Sequence, residues 1–224
     1  MAVTQDDVVR AAVELLDESG LAGLTLRGVA ARLGVSAPTL YWHVRDKRHL
    51  LDLVADRVIA ADDQAPGSAE PAHGQPVWEW LGQRSRAQRA ALLAHRDSAQ
   101  VVAGNRPTEA ALPTIERMLV VLVAAGLQPG EAVRILTAVG SYILGDALET
   151  QSNIARPPPR TTAAGWDEHY PTVAAAGRTM GDDDDRFEEG LCLILDGLQM
   201  RLQVRCRSAA PAAGRGAQPG PRER

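Results

Sequence analysis

Apolar residues along the first sixty positions recur at helical spacing, broken at Gly20 and Gly34. Val8, Ala11, Ala12, Leu15 and Leu16 make one stripe of a helix that starts at a Thr4 cap and ends at Gly20. A second helix follows Thr25 and stops at Gly34, burying Leu26, Val29, Ala30 and Leu33. A third starts at Ser36, accepts Pro38 in its first turn and ends near Val44. A fourth runs from Asp46 to about Ala61. Further helical patterns cover 77–95, 97–104, 108–125, 129–153 and 184–205, with a short helix after 165. Pro113 should kink or delay the helix in which it lies. No stretch alternates in the manner of a strand, so the expected fold is all-α. Residues 1–63 should form a head with its connecting helix and 77–205 a core. The stretches 64–76 and 155–165 should be loops, and 206–224 a disordered tail.

The second and third helices have the lengths and tight connection of a helix–turn–helix, whose second helix enters the DNA major groove. At about 100° per residue, Ala37, Leu40 and Val44 share an inward side with Tyr41 at its edge. Pro38, Thr39, Trp42 and His43 then face outward. An indole and an imidazole in water bring no structural gain, whereas both can meet a duplex. Thr39 can reach a base edge, Pro38 and Trp42 can pack on a thymine methyl or sugar, and His43 can meet phosphate or base. Tyr41 can bury its ring and offer its hydroxyl to phosphate.

Charge sharpens this reading. The chain of 224 residues has a formal charge of −4, which gives no global sign of a polyanion partner. Residues 24–49, however, hold five Lys and Arg against one acid, and Lys47 is the chain's one lysine. Lys47, Arg48 and Arg27 are candidate phosphate contacts, Arg27 also a base contact. Two cysteines are too few for a disulfide framework, with Cys192 expected in the core and Cys206 exposed. No apolar run spans a membrane and the N-terminus lacks a signal peptide's pattern, so a cytoplasmic protein without membrane partners is expected. The run "GDDDDRFEEG" suits a helix N-terminus better than a metal site. His95 reads as a structural hydrogen-bonding residue. No catalytic constellation emerges, so the chain is not expected to be an enzyme.

The stretch "GLTLRGVAARLGVSAPTLYWHVRDKRHLLD" resembles the DNA-binding signature of the TetR family of bacterial transcriptional repressors, more narrowly of the tetracycline repressors. The resemblance continues through "ALLAHRDSAQVVAGNRPTE", "AVGSYILGDALE" and "FEEGLCLILDGL". It implies a homodimer that binds a palindromic double-stranded DNA operator and leaves it when a small-molecule effector enters the core. An activator or effector-independent regulator is the alternative. Operator contacts carried over fall on Arg27, Ala37, Pro38, Thr39, Tyr41, Trp42, His43 and Lys47. Ala37 replaces a longer polar side chain, which implies a changed base preference.

The tetracycline contacts depart from the family pattern. Val102 stands where those repressors have a histidine before the "GxRP" loop, Asp63 and Ser141 replace two more, and Arg84 and Gln88 replace a polar and aromatic pair. Glu149, Arg106 and Pro107 match, with Asn105 inside the loop. One carboxylate without an imidazole is a poor Mg²⁺ site, so neither metal nor cofactor is expected. An antibiotic-like or polycyclic effector other than tetracycline is. An apolar cavity is expected among Val101, Val102, Ile115, Met118, Leu119, Leu122, Val133, Leu136 and Tyr142. Its polar points would be Arg84, Gln88, Arg106 and Ser141. Segment 97–107 is the expected coupling path, its "GNRP" end beside the ligand and its start against the fourth helix. Phe187, Leu191, Ile194, Leu198 and Leu202, with Ala132, Leu136, Val139 and Ile143, are expected to form a four-helix dimer interface. Gly190 and Gly197 should ease its approach.

Overall fold

A computed structural model describes residues 3–60, 70–155 and 166–209. The expectations for Asp63, for 64–69 and 156–165, for the Cys206 side chain and for the tail past Ala209 fall outside them, whereas residues 206–209, expected to begin the disordered tail, continue the last helix because its hydrogen bonding runs on past the last buried leucine. Among the described residues there is no strand. The helices are α1 (Gln5–Gly23), α2 (Leu26–Leu33), α3 (Ala37–Leu40), α4 (Lys47–Ala60), α5 (Val77–Ala94) and α6 (Ser98–Gly104). After a 3-10 turn at Glu109–Ala111 come α7 (Leu112–Ala124), α8 (Pro129–Ala155), α9 (Trp166–His169), α10 (Pro171–Thr179) and α11 (Asp183–Ala209).

Local chemistry sets the helix ends. Thr4 caps α1 and exchanges hydrogen bonds with Asp7 in a capping box, which holds the Asp7 carboxyl below its ordinary pKa. Gly20 adopts φ +69° inside the span of α1, and a Cβ there would lie 2.6 Å from Asp97 Oδ2. The same Asp97 carboxylate accepts from the Leu21 N–H at 2.9 Å, fastening the end of α1 to the start of α6. Thr25 caps α2 and Gly34, in the left-handed region, closes it. Pro113 falls in the first turn of α7, after the 3-10 turn has taken up the delay.

The head core gathers Val8, Ala12, Leu16, Leu24, Val29, Leu40, Val44, Leu50 and Val54, all buried. The second body is built on α5, which packs on α8, α11 and α4. Gly82 of α5 makes room for α11, because a Cβ there would stand 2.8 Å from Leu195 Cδ1. Arg89 of α5 is the polar clasp of this body. It donates to Asp146 of α8 and Asp184 of α11, both at 2.6 Å, and lies 4.5 Å over the Phe187 ring.

Two expectations for α11 are corrected. Phe187, Leu191, Leu198 and Leu202 are buried within their own chain, as are Ala132, Val139 and Ile143 of α8. They form the protomer core because α11 must first cover α5 and α8. Cys192 is exposed, one helical step from the buried stripe. The open side of α11 carries Leu193, 71% exposed, with Gly197, Met200 and Val204. Gly190 has a different task from Gly197. Tyr142 of α8 packs against Gly190, whereas nothing lies within 4 Å of a Cβ built on Gly197.

Candidate nucleic-acid interface and effector cavity

The recognition segment is shorter than its pattern suggested. Regular helix ends at Leu40, and Tyr41, Trp42 and His43 continue it through bonds to residues three back: Pro38, Thr39 and Leu40. This tightening is of the 3-10 kind. Val44 N–H still bonds the Leu40 carbonyl at 2.9 Å, so the turn stays helical in path. Leu40 and Val44 are buried and Ala37 is half-buried. Trp42 is 88% exposed and Pro38 is exposed, with Thr39 and His43 half-buried. Tyr41 differs from expectation: it is 59% exposed, so its ring is not sheltered by the head.

The basic cluster divides in two. Arg32 bonds Glu14 and Glu18 of α1 and is spoken for within the fold. Arg27, Arg45 and Lys47 stand exposed on the surface, Lys47 as the first residue of α4. Arg48 donates to the Gly104 carbonyl at the end of α6 and lies 3.7 Å from Asp52. An exposed cation at this place is suited to a phosphate. Lys47→Gln should lower operator affinity and flatten the log–log salt dependence by about 0.9; titrations at several salt concentrations measure it.

A cavity of about 620 Å³ opens where head and core meet. Among the described residues, Gln5, Asp6 and Val9 of α1 and Leu53, Asp56, Arg57, Ile59 and Ala60 of α4 form the head's share of its wall. The core contributes Leu81, Arg84, Ser85 and Gln88 of α5, Pro107 with Ala110 and Ala111, and Thr114, Ile115, Met118 and Leu119 of α7. Val133, Leu136, Thr137, Val139 and Gly140 of α8 complete it. Arg84 is buried and its guanidinium lies 5.6 Å from the Trp80 ring.

Of the residues singled out in the sequence, the structure brings Arg84, Gln88, Pro107, Ile115, Met118, Leu119, Val133 and Leu136 to this cavity. Val102, Asn105, Arg106, Ser141, Tyr142 and Glu149 are not on its wall, nor are Val101 and Leu122, which are buried core. Tyr142 stacks on Phe187 at 5.6 Å and donates to the Phe187 carbonyl at 3.0 Å. Ser141 and Glu149 are exposed on α8. Asn105 donates to the Val101 carbonyl while its own buried Oδ1 has no partner. The α1 and α4 wall residues were missed because each lies on the boundary of a stripe already assigned to the head.

Segment 97–107 hydrogen-bonds α4 through its end. Besides the Arg48–Gly104 bond, the Arg106 N–H reaches Asp52 at 3.4 Å and Thr108 N–H reaches Asp56 at 3.1 Å. Its start is fastened to α1: Asp97 to Leu21, and Arg96 N–H and the His95 ring to Asp17.

Among the described residues, the carboxylates on the cavity wall are Asp6, bound to Arg57, and Asp56, bound to Thr108. Among the described residues no three His, Cys, Asp or Glu side chains stand together as a metal site. No single described helix is long and apolar enough to cross a membrane.

An exposed helix–turn–helix on a helical body with a cavity at the junction defines a DNA-binding regulator. Comparisons place it. Residues 8–54 match "Bacterial regulatory proteins, tetR family" and residues 70–202 match "Tetracyclin repressor-like, C-terminal domain". The class A tetracycline repressor from transposon 1721 of Escherichia coli is 36% identical, over 92% of this chain and 95% of the relative. ActR of Streptomyces coelicolor, solved with (S)-DNPA, superposes with a TM-score of 0.72 at 29% identity, covering 89% of this chain and 98% of that one. TetR class A, solved with 5a,6-anhydrotetracycline and magnesium, gives 0.65 at 32% identity, covering 88% and 99%. The chain belongs to the TetR family of transcriptional regulators and is not an enzyme.

Proposed function

We propose that this protein is a repressor that holds a palindromic operator as a homodimer and is released by a small molecule bound in the head–core cavity. The observation that carries this reading is the shared wall. Gln5, Asp6 and α4 face the same space as α5, α7 and α8, so an occupant touches both bodies. A ligand that prefers one arrangement of head and core shifts DNA binding by its difference in affinity, about 5.5 kcal/mol for near-complete inversion. Two recognition helices in a dimer would read half-sites about 34–36 Å apart. The direct base and phosphate contacts fall on Arg27, Ala37, Pro38, Thr39, Tyr41, Trp42, His43 and Lys47.

The effector differs from a tetracycline–magnesium chelate. Val102 offers no imidazole, and Glu149 and Ser141 lie off the cavity wall. The wall is mostly apolar, with Gln5, Asp6, Asp56 and Arg57 on the head's side and Arg84, Ser85, Gln88, Thr114 and Thr137 on the core's side as its polar points, and suits an amphipathic or polycyclic molecule carrying hydrogen-bonding oxygens. A retarded operator complex should persist when tetracycline and Mg²⁺ are added and dissolve with a member of a polycyclic compound panel. Clean release by tetracycline would overturn the effector assignment.

The dimer uses the open sides of α8 and α11. The two helices run antiparallel, since Glu131 meets Arg205 while Tyr142 meets Phe187. Ala138, Ser141 and Gly145 on α8 and Leu193, Gly197, Met200 and Val204 on α11 are exposed in the single chain. Small residues flanked by large apolar ones suit close packing of a symmetric partner. Leu193→Glu should convert the dimer to monomer in sedimentation at micromolar concentration while leaving helical content intact.

A further inference from the structure

We propose that Gln5 is a positioning residue that ties occupancy of the cavity directly to the recognition segment, by a route separate from α6. This rests on the reading of the cavity as the effector site. Gln5 is on the cavity wall, and its Nε2 donates to the His43 carbonyl at 3.0 Å. One side chain thus touches both the space an effector fills and the turn that carries Trp42 and His43.

The surroundings make that contact sensitive. The Thr4–Asp7 capping box fixes the first turn of α1, and the Asp6–Arg57 ion pair pins that turn to α4. The backbone beneath Gln5 is therefore held while its side chain remains adjustable. At the other end, the regular part of α3 is four residues long. Beyond it the turn depends on tight three-residue bonds, of which Trp42 N–H to Thr39 O is long at 3.4 Å. Such a segment lacks the self-support of a long helix, so an anchor from another helix matters to where Trp42 points. An occupant that takes the Gln5 amide for itself, or displaces it, removes that anchor. The contacts from the end of α6 to Arg48, Asp52 and Asp56 reach α4 and do not pass through Gln5.

The test uses an occupant of known chemistry. In the full chain with Cys192→Ser and Cys206→Ser, Ala60→Cys places a single thiol on the cavity wall, one turn beyond Arg57, for labelling with N-phenylmaleimide. Affinity is measured, with and without label, on a duplex selected from a random pool by the unlabelled protein. Gln5→Met keeps the side-chain length and removes the donor. Unlabelled, it should bind about fivefold more weakly, the scale of one hydrogen bond. Labelling should weaken the Gln5 protein about tenfold or more, within the usual range of coupling, and the Gln5→Met protein less than about twofold. A merely structural Gln5 would lower both affinities and leave the labelling ratio unchanged, which overturns the proposal while the cavity reading stands. No effect of the label in either background overturns both. Gln5→Glu, equally long but without a donor when ionised, should behave as Gln5→Met; normal coupling in it also overturns the proposal.

Discussion

Trp42→Ala should lower operator affinity about thirtyfold, or about 2 kcal/mol, the scale at which an aromatic anchor at an interface counts as dominant. The indole is 88% exposed in the free chain, so its removal takes little from the fold. Stability should stay within about 0.5 kcal/mol, as for other surface changes. Equilibrium titration against the selected operator and urea unfolding of the same preparation measure the two. The separation of the two readouts is what matters. A core tryptophan would lose stability first and affinity as a consequence, whereas this one should lose affinity alone. Unchanged affinity in a folded variant would remove the recognition face from the account.

Arg89→Met should lower stability by about 3 kcal/mol, because it leaves Asp146 without the cation that faces it inside the fold. Both side chains are largely covered, at 10% and 14% exposure, whereas Asp184 is open to solvent. Burial works against the Arg89 charge, yet the hydrogen bonds to Asp146 and Asp184 more than offset it and its pKa rises. The loss should appear as a lower urea midpoint at fixed protein concentration, since dimerisation adds to apparent stability. Adding Asp146→Leu to Arg89→Met should restore part of it, because the stranded carboxylate is then gone. If the double variant is as unstable as the sum of the singles, the clasp is not the cause.

The readings that succeeded from sequence rest on local rules. Thr4, Thr25 and Gly34 mark helix ends, and Gly20 a break inside α1, through capping and left-handed geometry, which depend on a few adjacent residues. Leu40 and Val44 inward with Trp42 outward follows from one helical turn. α3 still came out shorter, because three-residue bonds replace regular ones after Leu40. The cavity was legible only in part. Arg84, Gln88, Ile115, Met118 and Leu119 were reached through family likeness and helical spacing, whereas Gln5, Asp6 and Arg57 belong to stripes that looked complete without it.

The α11 helix marks where local pattern stops. It carries two apolar stripes, and a periodicity argument cannot say which one its own chain will cover. Packing decides: α5 and α8 take Leu191, Leu195 and Leu198, and leave Leu193, Met200 and Val204 outside. By itself, then, the sequence determined the helices, the caps at Thr4, Thr25 and Gly34, the outward chemistry of the recognition turn and the family to which the chain belongs. These follow from spacing and from residues close together along the backbone. Tertiary structure alone decided which stripe is core, which end of 97–107 hydrogen-bonds α4, and that Gln5 joins a cavity to a distant carbonyl. Those depend on contacts between residues far apart in the chain, where the period of a helix holds no information about its neighbour.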